Sequence, residues 1–207
     1  MKLTIVLGRG KCGISLVAGV LYKLGADFRG KTEPIEDSRE KGVNIKGGYG
    51  GITFDKSLDF LPDCIERAKR GENVDDVMSR VREAGRKRKP FWGWKNPWTL
   101  LLVPKLRPLE PYYIMCRREI HAQAQSFVEE DPNQSMTKSQ VIKSIESYNK
   151  VAERVLSREK SIEVWFEELT SHPRREIQRI INFLKIEPTQ EQIKNAVEFV
   201  KPELKTY

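Results

Sequence analysis

The densest chemical signal in this 207-residue chain is a run of eight residues near its amino end, Gly8-Arg9-Gly10-Lys11-Cys12-Gly13-Ile14-Ser15. Its glycines let the backbone turn sharply and bring several N–H groups toward one point. Lys11 adds a mobile full charge. A short apolar, β-branched run, Lys2 to Leu7, precedes the glycines and reads as a buried strand. After them Ile14, Leu16, Val17, Val20, Leu21 and Leu24 recur at helical spacing, and Gly25 is placed to close the helix. A helix opening directly behind the loop contributes unpaired N–H donors and the positive end of its dipole. Strand, loop and helix together make an anion cradle. The plainer reading is a Gly-rich turn carrying a solvated lysine. The loop is not a Walker A motif, because Lys11 precedes Gly13 instead of following the last glycine ahead of Ser or Thr. No strand ends in an obvious magnesium-holding Asp either.

The elements that must position this loop follow in order. Residues 29–54 are rich in glycine and charge and read as a long surface excursion, of a length that is usually functional. Helical stretches are predicted over Lys56–Lys69 and Val74–Lys87, with Asn73 as the N-cap of the second. Phe91-Trp92-Gly93-Trp94 reads as a second strand ending at Lys95-Asn96-Pro97, and Pro111–Cys116 as a third ending at Arg117-Arg118. A helix is expected from Glu119 to Glu129. A longer one spans Lys138–Leu156, with Val141, Ile142, Ile145, Tyr148, Val151, Ala152 and Val155 on one face. Ser161–Trp165 is a fourth strand, and Arg174–Leu184 and Gln190–Val200 are closing helices. Strands alternating with helices define an α/β class: a largely parallel sheet with helices on both faces, expected as one domain over 1–207.

Composition bounds the function classes. Apolar residues make up 39% and charged residues 32%, which suits a soluble globular chain. No apolar run approaches the roughly 20 residues that cross a bilayer, and the apolar start runs into Gly8 without a cleavage site, so neither a membrane nor secretion is expected. Cys12, Cys64 and Cys116 are odd in number and widely spaced, which argues for a reducing cytoplasm and against a zinc site or disulfide framework. Cys12, at a helix start, is either a thiol of lowered pKa or a small residue filling a tight turn. A net charge of +8 favours anionic partners.

At four places, in the same order along the chain, the sequence resembles the sulfotransferases that use PAPS, 3′-phosphoadenosine 5′-phosphosulfate. That family's phosphosulfate loop commonly reads Pro-Lys-Ser-Gly-Thr-Thr, and Gly10-Lys11-Cys12-Gly13-Ile14-Ser15 occupies its frame. The resemblance implies that Lys11 contacts the bridging oxygen of the leaving phosphate, within a cradle that also includes Arg9. Cys12 and Ile14 lack the family's hydroxyls, so the loop relies more on backbone N–H groups and Ser15. The second match is Arg118 with Ser126, spaced like the family's 3′-phosphate pair; eight residues is a little over two helical turns. Arg117 would serve if the register shifts by one. Phe166-Glu167-Glu168-Leu169, then His172-Pro173 and Phe183-Leu184, resemble the family's Tyr-Glu-Asp-Leu segment and its sequel, and imply that Phe166 lies beside adenine. Finally, Trp94-Lys95-Asn96-Pro97 is similar to the Lys-x-Pro of bacterial members, which implies that Lys95 contacts the sulfuryl oxygens or an acidic acceptor. The family's closing Arg-Lys-Gly segment has no counterpart after Leu184.

The resemblance implies PAPS as cofactor, with PAP (3′-phosphoadenosine 5′-phosphate) as its product. The acceptor would be a small molecule or saccharide, with an anionic one such as a sulfated or uronic sugar suited to the chain's charge. Asp55 lies where the family often places an acidic residue and is the candidate base, with His121 and His172 as alternatives. Each lone reading has an ordinary structural counterpart: an Arg pair at a strand end, a solvated helical Ser, a core Phe, a strand-end Lys. Two rival functions remain. One is a kinase-like phosphotransferase using magnesium-ATP. The other is a nucleic-acid-binding protein built on Arg80, Arg82, Arg86, Lys87, Arg88 and Lys89 with Phe91, Trp92 and Trp94; a dipole-complementing helix end beside buried tryptophans accounts better for that stretch. A third possibility is a fold member that binds nucleotide without turnover.

Overall fold

The computed structural model describes residues 1–28, 58–130 and 136–200. β1 (Lys2–Leu7) lies inside a four-stranded sheet of order β2-β1-β3-β4, with β2 at Phe91–Lys95, β3 at Tyr112–Arg117 and β4 at Lys160–Trp165. All neighbours pair in parallel, and the register sets Val6 opposite both Lys95 and Ile114. Parallel pairing requires long crossovers, which the intervening helices supply.

Alternation along the strands divides the interior into two cores. Leu3, Ile5, Leu7, Trp92, Trp94, Tyr113 and Met115 face one side. There they meet α2 (Leu61–Lys69), α3 (Val77–Arg86), the short α4 (Val103–Leu106) and part of α6 (Lys138–Leu156). Val6, Ile114, Cys116 and Val164 face the other side, against α1 (Ile14–Lys23), α8 (Pro173–Leu184) and α9 (Gln190–Phe199). Both faces of the sheet are therefore covered by helices, as the α/β reading expects. α5 (Ile120–Glu130) and the first half of α6 form a smaller cluster through Ala124, Val141 and Ile145. No helix among the described residues is long and apolar enough to cross a membrane.

Because every strand runs the same way, the segments after β1, β2, β3 and β4 all emerge at one edge. That edge is the usual ligand side of an open α/β sheet. It receives the loop 8–15, Lys95, Arg118 and Phe166. The last of these opens a short helix, α7 (Phe166–Ser171), that periodicity did not signal. Also unsignalled is the helical path from Pro97 to Leu109. It begins as a 3₁₀ turn, Pro97–Leu102, whose N-cap Asn96 accepts from the N–H groups of Trp98 (2.7 Å) and Thr99 (3.2 Å).

Boundaries differ from expectation where local chemistry competes. α3 starts at Val77, not Val74. Asn73 caps a turn instead, accepting from the Asp75 N–H at 2.7 Å. β3 starts at Tyr112 and includes Arg117. Val151, expected on the buried face of α6, is 40% exposed: the helix packs on α5 through Val141 and Ile145 and on the sheet core through Ala152 and Leu156, and Val151 belongs to neither contact. Gly25 ends α1 as expected: at φ 94°, with Gly25 N–H bonded to Tyr22 and Ala26 N–H to Leu21, it completes a Schellman motif. α2 starts at Leu61, after a turn over residues 58–60, so the helix expected from Lys56 is shorter; the 29–54 excursion and residues 55–57, Asp55 among them, lie outside the described residues.

Candidate active site

The loop between β1 and α1 is held in a demanding backbone conformation. Gly13, the N-cap of α1, sits at φ 89°, and the non-glycine Lys11 sits at φ 67°. A left-handed lysine is strained, and such strain persists only where the surroundings impose it. Gln123, only 2% exposed, imposes it from α5: its amide donates to the carbonyls of Arg9 (3.0 Å) and Gly10 (2.8 Å). Arg118 donates to the Lys11 carbonyl at 3.3 Å. Three successive carbonyls are thus drawn toward α5 and Arg118. In trans peptides the following N–H groups, those of Gly10, Lys11 and Cys12, point the opposite way. That divergence turns a Gly-rich turn into a directed donor array.

Behind the loop, Cys12 is buried against Gly8, where its sulfur occupies the space a Cβ would need. It fills a tight turn. Burial, reinforced by a hydrogen bond with Cys12, pushes the Cys116 thiol well above its ordinary range. Tyr148, from α6, donates to the Pro97 carbonyl at 2.8 Å and also hydrogen-bonds the Gly8 backbone, joining the loop to the turn after β2.

Arg118 is the hub of the site. Its Nη1 lies 3.3 Å from the Ser126 hydroxyl as well as from Lys11, so the eight-residue spacing does bring both side chains together. The guanidinium lies 4.7 Å from the Phe166 ring centre, in cation–π range. That ring packs on Gly13 so closely that a Cβ there would fall 2.7 Å from Phe166 Cδ2. Burial pulls the Arg118 pKa down, opposed by Glu167, and its Nε is buried without a hydrogen-bond partner. A partly desolvated cation with an orphaned donor suits an anionic ligand. Arg117 is committed elsewhere: it binds Glu163 (2.6 Å) and Glu153 (2.8 Å) between β4 and α6.

Lys95 ends β2 with its amine 2.6 Å from the Ser15 hydroxyl at the start of α1. Burial lowers its pKa to about 8. Arg9 turns outward from the loop. Its Nε lies 3.3 Å from the Ser144 hydroxyl, and its guanidinium lies 5.4 Å from the Phe127 ring and 5.7 Å from the Trp98 ring. Sequence reasoning did not single out Gln123, Phe127, Ser144 or Trp98. Gln123 had one available signal, since it shares the Ser126 face of α5 at i, i+3. The others come from elements whose docking no local pattern encodes. His121 and His172 are exposed, on the first turn of α5 and at the junction of α7 and α8. Among the described residues no group of three or more His, Cys, Asp or Glu side chains could hold a metal ion. Trp92 and Trp94, considered above as stacking residues, are buried at 0% and 2% exposure.

A four-stranded parallel sheet covered by helices, with a Gly-rich loop after its first strand, defines an α/β class of protein, and solved structures narrow the fold. The chain is similar to a sulfotransferase of Mycobacterium avium at 12% identity and a TM-score of 0.64, covering 96% of this chain and 67% of that one. It is similar to the sulfotransferase domain from the curacin biosynthetic pathway at 14% identity and a TM-score of 0.61, covering 92% and 76%. A sulfotransferase from Alicyclobacillus acidocaldarius aligns over 100% of this chain and 96% of its own, at 11% identity and a TM-score of 0.52. No protein-family model matches the sequence, and no curated protein matches it. The chain has the sulfotransferase fold.

Proposed function

We propose that the protein is a PAPS-dependent sulfotransferase, acting on a hydroxyl or amine of a small-molecule or saccharide acceptor. One observation carries the reading: Arg118 simultaneously reaches Ser126 and the Lys11 carbonyl, joining a pair suited to the 3′-phosphate to the loop suited to the 5′-phosphosulfate. The orphaned Arg118 Nε and the diverging loop N–H groups fit a doubly phosphorylated nucleotide.

When bound, PAPS supplies an activated sulfuryl group: the acceptor atom bonds to sulfur as the bridging S–O bond breaks, and the electron pair leaves with PAP. The chain's residues do the rest. The N–H groups after Arg9 and the Lys11 side chain stabilise charge growing on the departing phosphate. Lys95 stands at the end of β2 to hold sulfuryl oxygens, and Ser15 holds Lys95 in place. Phe166 presents an aromatic edge at the loop, suited to adenine. A sulfuryl group in flight carries less negative charge than a phosphoryl group, so lysines and backbone donors can serve where kinases use metal ions. The acceptor's proton passes to a base that the described residues do not identify; Asp55 is our candidate from the sequence. The three cysteines are free and buried, which supports a cytoplasmic setting.

Calorimetric titration with PAP, AMP and magnesium-ATP tests the reading. Metal-independent preference for PAP, lost in Arg118→Ala, is the expected result. A preference for magnesium-ATP, or no nucleotide binding, overturns it in favour of a kinase-like enzyme or a nucleic-acid binder.

A further inference from the structure

The turn that follows Lys95 carries a feature that shares only Arg9 with the nucleotide cradle. Trp98 and Leu101 are 37% and 40% exposed. They stand three apart in the 3₁₀ turn Pro97–Leu102, where three residues per turn put them on one side. Two cations flank the indole. Lys69, from α2, holds its amine 4.5 Å from the ring centre, and Arg9, from the loop, lies 5.7 Å away. Arg9 donates to Ser144 and forms no ion pair with a described carboxylate. Lys69 pairs with Glu66 at 2.7 Å, but that pair lies on the surface, and such pairs contribute little. The result is an apolar ledge, Leu101 and the indole edge, beside two cations that lie over the indole ring, three residues beyond the lysine that touches Ser15.

We propose that this ledge binds the acceptor and selects for a ring-bearing compound with an anionic substituent, a carboxylate or sulfate. The ring lies against Leu101 and the edge of the Trp98 indole, and the anion pairs with Lys69 and Arg9. The inference rests on the sulfotransferase reading and deepens it by naming the acceptor's chemistry. The apolar ledge gives contact area and the neighbouring cations give charge selection, so a neutral isostere keeps the first and loses the second. Anchoring Arg9 between Trp98 and Phe127 also fixes the charge before the ligand arrives, which lowers the ordering cost of binding.

The test is calorimetry on the PAP-saturated protein with two shape-matched pairs: 4-hydroxybenzoate against 4-hydroxybenzamide, and methyl glucuronide against methyl glucoside. The anionic member of at least one pair is expected to bind about tenfold more tightly at low salt, as one retained ion-assisted contact predicts. Which pair responds separates an aryl from a sugar acceptor. Lys69→Gln should erase the margin with PAP affinity and melting temperature unchanged, and Trp98→Ala should weaken both members alike. Equal affinities within both pairs, no binding of any of the four, or a margin that survives Lys69→Gln overturns the proposal. If PAP itself fails to bind the unaltered protein, the sulfotransferase reading falls instead, and the same titrations without PAP still report on the ledge.

Discussion

Two adjacent arginines at the end of β3 have opposite fates, and only one belongs to the site. Arg118 turns toward the loop with an unpartnered Nε, whereas Arg117 is closed between Glu153 and Glu163. Arg118→Ala should therefore weaken PAP binding about ten- to a hundredfold, the scale of a lost charged hydrogen bond, with the melting temperature little changed. Arg117→Met should do the reverse, lowering thermal stability while PAP affinity holds; calorimetry and thermal melts on both variants decide it. Lys95 supplies a second residue-scale expectation. Its folded pKa near 8 lies below its unfolded value, so the folded chain sheds that proton first. Between pH 8 and the unfolded pKa the unfolded state binds more protons, and stability from this group rises with pH. Nucleotide binding should run the other way. PAP keeps the 5′-phosphate that adjoins the sulfuryl position, and that anion favours the charged form of Lys95, so PAP affinity should fall as pH rises above 8 and binding near pH 8 should take up a proton. Titrations in buffers of different ionisation enthalpy measure the uptake, and Lys95→Met should abolish it.

At the scale of elements, the loop is shaped as much by α5 and α7 as by its own glycines. Gln123 holds two loop carbonyls and Phe166 covers Gly13. Gln123→Leu leaves both carbonyls without their buried donor, and the cost should be about 1–3 kcal/mol in denaturant melts, with weaker PAP binding in proportion. Gly13→Ala meets two obstacles at once, a left-handed φ and the Phe166 ring. It should cost a further 1–3 kcal/mol or so, and relieving the ring with Phe166→Leu should recover only the steric part. The positions of α1, β3 and α6 follow from periodicity and were readable to within a residue or two. α7 and the 97–109 path were not readable, because short helices are set by caps and by docking rather than by a repeating apolar face.

Across the whole molecule, the parallel sheet separates two regions of positive charge. The loop, Lys95 and Arg118 gather at the carboxyl edge, whereas the exposed Arg82, Arg86, Lys87 and Lys89 precede β2 at the amino edge. Converting those four residues to Gln should leave PAP affinity within about twofold, since a charge more than a Debye length away is largely screened at physiological salt. A larger change would mean that this cluster reaches the nucleotide. With Trp92 and Trp94 inside the core, the same cluster has no neighbouring tryptophan available for stacking bases.

The sequence by itself determined the α/β class, the strand–loop–helix opening and the pairing of a strand-end Arg with Ser126, because each is written in local spacing: glycines at a turn, apolar residues at helical intervals, an Arg and a Ser eight apart. It left open whether Arg117 or Arg118 faces the loop, because a shift of one residue along a strand exchanges its faces. Tertiary structure decided that choice. It also brought Gln123, Trp98 and Ser144 to the loop from three different segments, and Lys69 to Trp98 from a fourth. Their contacts depend on how helices dock across a parallel sheet, and no stretch of local sequence carries that information.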